Sequence, residues 1–485
     1  MKNRGSVTIF CCLIITAIVI LGITAIKVCG HHLAKAKGAI SLRTAMSSVD
    51  AGYNSYIFEN YHILLFDKNC DGRGEAYLEE QLIRDLQYNL GESFNVEDIS
   101  VNDYQLILED DLVAFKEQIT DYCGYALLEG GAEAILESTG GKDGTLDDNI
   151  YSDMEAAENE EPPALEEEKG DTSESEGAEQ DSFHGLPSLG LDEEDEDPRD
   201  YTENLSSEMI LSMVVPEDME VSSEIVPLTG VPSLENKIFS MVSYEIDNDF
   251  DDMDMLRKDV GEYDSWKDSL VNGGAGLIYA ENVFNCATEE LQEDTVFTFE
   301  LEYIIAGRDS DMANLKSVVN KIIGVRFPVN YGYLVSDTMK MAEVKKLSWP
   351  IALATFVPEP VVRYLIAGCW AYVESIFDVR CLLEGQRMDF FKSKTTWKTD
   401  LTDLEKSQNL EGTESDSGLA YKDYLLILLA LDMNSGYYRM LDIMELNTKQ
   451  RYPEFDMNHA AVAFMTDAHI TYDGKDYYYR EVMGY

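Results

Sequence analysis

Glu374 and Asp378 are the two side chains in this sequence best spaced for acid–base chemistry. Four residues apart on a helix, they share one face, as a general acid and a general base would. The same spacing serves salt bridges to Arg363 or Arg380, or a plainly solvated face, and these explain the pair more simply. Asp67, Asn69, Asp71 and Glu75 form a second constellation. With Gly72 in sixth place, they match oxygen donors 1, 3, 5 and 9 of an EF-hand loop. The twelfth place, where a bidentate glutamate belongs, is Leu78, with Glu79 one residue late. A strand-to-helix turn selects the same Asp, Asn and Gly, so the loop is not assigned to calcium.

The remaining chemistry-bearing residues are thinly spread. None of the six histidines (His31, His32, His62, His184, His459 and His469) stands in an H-E-x-x-H pattern or a His/Cys ligand spacing. His31-His32 follow an apolar stretch, where an interfacial role outweighs metal binding. GGAG at 273–276 lacks a third glycine and a preceding strand, and STGGKDGT at 138–145 has no Lys-Ser/Thr pair. Of eight cysteines, Cys11, Cys12 and Cys29 lie in or beside the apolar stretch. The other five, Cys70, Cys123, Cys286, Cys369 and Cys381, are odd in number and irregular in spacing, so they read as buried thiols and not a disulfide framework. No catalytic, cofactor-binding or metal-ligating residue is assigned, no cofactor is implied, and the chain is not expected to be an enzyme.

The elements that would hold such residues begin with an anchor. Gly5 to Ile26 are 22 consecutive residues without a charge. At ~1.5 Å per residue they reach roughly 33 Å, enough for a hydrocarbon core of about 30 Å. A cleavable signal peptide has a shorter apolar stretch of about 7–15 residues with small residues at the cut. This one runs on into Lys27 without an A-x-A pattern, so a retained single-pass anchor touching lipid through residues 7–26 is expected. Leu33, Ala36, Ile40 and Val49 then recur at near-helical spacing, which predicts a helix continuing unbroken past Arg43 as an amphipathic stalk. Lys2 and Arg4 precede the anchor while Lys27, Lys35, Lys37 and Arg43 follow it, so cation counting does not set the topology.

Residues 138–204 carry 24 acidic side chains against Lys142, Lys169 and Arg199, a composition that predicts a disordered linker or surface insertion. The whole chain of 485 residues has a formal charge of −55, which argues against nucleic acid or an anionic membrane surface as the main partner, since both would be repelled. HILLF at 62–66 reads as a short buried strand. Leu78, Leu82, Leu86 and Leu90 predict a helix capped by Gly91, and a second helix is expected around 111–128. VFTFELEY at 296–303 alternates as a half-buried strand with Thr298, Glu300 and Glu302 outward. A helix capped by Asp309 or Ser310 should carry Leu315, Val318, Val319, Ile322 and Ile323. A core helix over 361–377 follows Pro358 and Pro360, and Asp473-Gly474 marks a hairpin. The fold class is α+β. Its expected parts are an anchor over 1–29, stalk and first ectodomain part over 30–137, the acidic linker over 138–204, and an α+β ectodomain over 205–485.

The opening RGSVTIF followed by an apolar helix resembles the N-termini of TadE/TadG-like proteins of Tad (Flp, type IVc) pilus systems. Through AGYNSYIFENYHILLFD, VPEDMEVSSEIVPLTGVPS, FELEYIIAGRDSDMANLKSVVNKI, YVESIFDVRCLLEG and YKDYLLILLALDMNSGYYRMLDIMELN, the chain is similar to an uncharacterised family of long TadE/TadG-like membrane proteins of anaerobic Gram-positive bacteria. The resemblance implies a cell-surface structural or assembly role beside pilus proteins, with the C-terminal domain outside the cytoplasm. An adhesin or wall-binding protein is the alternative. One departure bears on filament entry: pseudopilins usually keep a Glu five residues after the processed glycine, and counting from Gly5 that place holds Phe10.

Overall fold

The computed structural model describes residues 4–70, 72–129, 205–235, 274–404 and 418–485, together with 202, 410, 412 and 415. The acidic tract over 138–204, the glycine-rich 138–145 segment and His184 lie outside the described residues, Thr202 excepted. Helix α1 (Arg4–Asp50) is unbroken for 47 residues, so the expected continuation past Arg43 holds. Its first half is bare: Leu13, Ile15, Ile18, Leu21 and Ile26 are all more than half exposed. The second half is docked, on a face that shares only Val49 with the predicted stripe. Ala34, Leu42, Ala45, Met46 and Val49 are buried, while Leu33 and Ile40 stay exposed on the outer face.

The docking surface is a four-stranded antiparallel sheet. After α2 (Ser55–Tyr61) come β1 (Phe66–Asp67), α3 (Glu75–Leu90) and β2 (Phe94–Leu106). Strands β3 (Ala460–Tyr472) and β4 (Lys475–Gly484) close the chain as the expected hairpin. Asp473 and Gly474 both have positive φ, 50° and 75°, as a type I′ turn requires. β3 is central: β2 pairs along one edge, and β1 and β4 share the other end to end. One face packs Phe464, Ala468 and Ile470 against Leu78, Leu82, Leu86 and Leu90 of α3 and the docked half of α1. The leucine spacing thus set the face correctly, and Gly91 closes α3 with its N–H on the Gln87 carbonyl.

A second, larger core is helical. It gathers α4 (Val113–Glu129), α5 (Ser207–Val214), α6 (Ala275–Val283), α7 (Glu300–Ala306), α8 (Asp311–Ser336), α10 (Glu359–Leu383), α11 (Tyr421–Ala430) and α12 (Met433–Arg451), while α9 (Thr338–Thr355) lies outside it and packs chiefly on α10. Leu315, Val318, Val319, Ile322 and Ile323 of α8 all face it, as expected. Two strand expectations fail. Residues 62–65 are irregular, because the Gln118 side chain takes the place of a ladder partner. It donates to the Leu64 carbonyl at 2.9 Å and accepts from the Leu64 N–H at 2.7 Å. Residues 296–303 lead into α7, and Glu300 and Glu302 are fully buried instead of facing water.

Gly38 lets α1 meet the sheet. A Cβ there would stand 2.2 Å from the Tyr479 hydroxyl, which donates to the Lys35 carbonyl at 3.1 Å. Helix propensity alone would make Gly38→Ala stabilising by about 1 kcal/mol. We expect no gain, or a loss, in thermal stability in the wild-type background, and recovery of the gain when Tyr479→Ala frees the space. A stabilised single variant would show that the contact is loose.

Candidate functional site

Glu374 and Asp378 do share a face of α10, but that face is dry and both side chains are fully buried. Neither pairs with Arg363 or Arg380, and neither is solvated. Arg363 instead holds Glu359, and Arg380 holds Glu384. The true partners come from α8 and from the loop after α10, far away in sequence. Arg326 donates to Asp378 Oδ2 through Nη2 at 2.7 Å and Nε at 3.0 Å, and Asn330 Nδ2 adds a bond at 2.9 Å. Lys392 Nζ bridges Glu374 Oε1 and Asp378 Oδ1, each at 2.6 Å. Thr399 donates to Glu374 Oε2 through both its hydroxyl and its N–H.

Two cations and two carboxylates thus cancel inside the core. Burial alone would raise Asp378, but Lys392 and Arg326 overcome it and hold the carboxyl below its ordinary range. Arg326 spends its remaining donors on the Asp389 and Phe390 carbonyls and the Tyr424 hydroxyl. Saturated in this way, the cluster packs α8, α10 and the 389–399 loop together. It offers no free proton acceptor to a substrate.

A second acidic group was hidden by the misread strand. Glu300 accepts from the Asn285 N–H and the Asn447 amide, at 2.9 Å each. Glu302 Oε1 accepts from the Ala287 N–H and the Tyr421 hydroxyl, at 3.0 Å each, while Oε2 has no partner. Unlike the first cluster, no cation bonds to either carboxylate. Burial therefore pushes Glu300 up to about 8 and Glu302 up to about 7. Their alternation with Phe297, Phe299, Leu301 and Tyr303 is the only sequence signal they leave.

The Asp67 loop is a turn. Asp67 Oδ1 accepts from the Asn69 N–H at 2.8 Å, and Glu75 pairs with Lys68 at 3.2 Å. Asp71 lies outside the described residues, and among those described no group of three His, Cys, Asp or Glu side chains could hold a metal. A half-open cleft of about 240 Å³ lies over this turn, bordered by Asn54, Asp67, Arg73, Gln81 and Tyr452. All eight cysteines are free thiols.

The cations and the histidine that follow the apolar stretch have structural partners. His31 Nδ1 shares a 2.7 Å hydrogen bond with the Tyr477 hydroxyl, so it is tied to β4. Lys37 Nζ donates to the Leu90 carbonyl at the end of α3 at 2.6 Å, and Arg43 pairs with Glu481 at 2.8 Å. These ties, with Gly38 and Tyr479, fix the helix on its sheet.

Fold and buried charge together define an α+β protein with one N-terminal helix long and apolar enough to cross a bilayer, as a single-pass membrane protein has. Residues 190–472, more than half of the chain, match the family of unknown function DUF5702, and the chain belongs to that family. Comparisons with curated proteins and with solved structures found no match.

Two predictions test the buried charge. Asp378→Ala leaves the Arg326 guanidinium buried without its counter-charge, and should cost about 3–5 kcal/mol in chemical denaturation. A cost below about 1 kcal/mol would mean that water reaches the cluster. Glu302 is raised in the folded state, so its contribution is complete below its unfolded value of 4.5 and is lost as pH rises towards about 7. Glu302→Gln keeps an oxygen for Ala287 and Tyr421 and places an amide where Oε2 is unpartnered. Its thermal midpoint should therefore fall less between pH 4.5 and 7 than that of the wild type, and parallel curves would refute the assignment.

Proposed function

We propose that this protein is a membrane-anchored, extracytoplasmic structural or accessory component of a Tad/Flp-type pilus or a related surface apparatus. The observation that carries the reading is α1 itself: one continuous helix, bare and apolar at its start, docked at its end on a four-stranded antiparallel sheet. Such a helix holds a folded head at a fixed distance from the bilayer with no hinge between them. Its outer face also keeps Leu33 and Ile40 exposed seven residues apart, a seam at the spacing by which helices of neighbouring subunits pack. The RGSVTIF opening supports the same reading, and Phe10 in place of the pseudopilin glutamate favours an accessory over a bulk filament subunit. A buried charge cluster whose hydrogen-bonding groups are saturated fits a scaffold.

Protease added to wall-stripped cells should digest the C-terminal domain while a cytoplasmic marker survives. Full protection would overturn the orientation and the surface role together. A photo-crosslinker at Ile40 should trap a second protein of the membrane or filament fraction. Leu33→Glu with Ile40→Glu should abolish that capture while the thermal midpoint stays within about 2 °C, because neither side chain is buried. Capture of nothing at position 40 would count against assembly through the helix.

A further inference from the structure

Helices α9 and α10 form a hairpin whose tip is apolar outside as well as inside. Inward, Val344, Leu347, Ile351, Val362 and Ile366 are buried. Outward, Trp349 is 59% exposed, Leu353 59%, Phe356 93%, Val361 49% and Leu365 52%. A tip of this kind is costly in water, and its backbone is strained to present it. Phe356 occupies the left-handed region at φ 58°, where a bulky side chain is disfavoured and glycine is the ordinary choice. Pro358 and Pro360 stiffen the chain immediately beyond.

The charge around the tip is locally positive within a strongly acidic chain. Residues 338–365 hold Lys340, Lys345, Lys346 and Arg363 against Glu343 and Glu359, a local +2 in a protein of −55. Arg363 is engaged by Glu359, which also accepts from Ser348, so the two helices are bridged close to the tip by a charge pair that is neutral overall. Lys345 and Lys346 remain on the exposed side, about one turn behind Trp349. From the apex back, the order is Phe and aliphatics, then Trp349 and the half-exposed Tyr364, then lysines. That is the order of an element entering a bilayer from the side: apolar apex in the acyl region, aromatic rings at the interface, cations at the headgroups. The stretch from Trp349 to Thr355 spans roughly 10 Å, the depth reached by interfacial helices and too short to cross.

We propose that the α9–α10 tip inserts into the surface of an anionic phospholipid bilayer, giving the head a membrane contact separate from α1. Lipid is favoured by the ordering of the tip, with the lysine pair placed behind the aromatic rings as headgroup contacts would be. The inference does not depend on a pilus role. It requires only that the head face a bilayer.

The test uses the full-length chain in vesicles of phosphatidylcholine and phosphatidylglycerol with lipids brominated near the glycerol end of their acyl chains. Bromolipids should quench tryptophan fluorescence, and Trp349→Phe should remove at least half of that quenching. The difference isolates Trp349 from the buried Trp370 and Trp397 and from Trp266. Phe356→Gly, which suits the left-handed backbone and so keeps the fold, should lower the quenching of Trp349 at least twofold. Omitting phosphatidylglycerol should do the same. Equal quenching in wild type and Trp349→Phe, with Trp349 open to acrylamide, overturns the proposal. Protection of Trp349 from both quenchers also overturns it, because a protein partner would then cover the tip. A chain that fails to float with vesicles overturns both this contact and the anchoring reading. Flotation without quenching of Trp349 sinks this contact alone.

Discussion

Helix α1 joins a bare, apolar half to a half docked on a sheet along one uninterrupted backbone, and much of the structure follows from that. Where its side chains are bare, nothing in the head covers them, and their hydropathy suits lipid. Where it meets the head, Ala34, Gly38, Ala45 and Met46 form a face narrow enough for the sheet to approach closely. Small residues make that approach feasible, and polar ties at the rim then fix its register. His31 on Tyr477, Lys35 on Tyr479, Lys37 on Leu90 and Arg43 on Glu481 climb the helix in order. No single tie is strong at an exposed surface. Together they allow only one axial position and one rotation of the helix on its sheet.

A chain with 92 acidic residues cannot leave all of them in water without some falling where the core must close. Two solutions coexist. In the α8–α10 layer the carboxylates of Glu374 and Asp378 remain charged against Lys392 and Arg326, so packing there rests on attraction in a medium of low polarity. Around α7, no cation bonds to Glu300 or Glu302; backbone N–H groups and neutral side chains satisfy them, and their proton affinity rises. Asp442 follows the second pattern. It accepts from the Ser233 N–H and the Tyr303 hydroxyl, and burial lifts it to about 6. The two patterns respond oppositely to pH: the contribution of the raised carboxyls is lost as pH rises, and that of Asp378 is lost as pH falls.

How much of this could be read from the sequence depended on whether the partner was local. The leucines of α3 and the Asp473-Gly474 turn act within one or two helical turns or one hairpin, and both were legible. The alternation at 296–303 was equally clear but misled, because alternation shows that two sides differ, not that the polar side is wet. Here the polar side meets the backbone N–H groups of Asn285 and Ala287. HILLF misled for a related reason: its apolar residues are buried, but a glutamine 54 residues away supplies the hydrogen bonds that a neighbouring strand would. Glu374 and Asp378 were found as a pair, and their spacing correctly put them on one face. Their partners Arg326 and Lys392 lie 52 and 14 residues from Asp378, and no periodicity connects them.

The same limit applied to the stalk and the α9–α10 hairpin, and there it has a functional edge. Near-helical spacing chose Leu33, Ala36, Ile40 and Val49 as one stripe, but of these only Val49 is buried. The helix instead turns Ala34, Leu42, Ala45 and Met46 inward, and Gly38 leaves room for the Tyr479 ring. At 349–365 the apolar residues likewise exceed what the fold can cover: one set packs inward, and a second set points out around a strained phenylalanine. Retaining large side chains where small or polar ones would fold as well costs solubility and gains nothing within the isolated chain. Both surpluses therefore point to something outside it, for which we propose a neighbouring helix at the stalk and lipid at the hairpin, where lysines lie behind the aromatic rings.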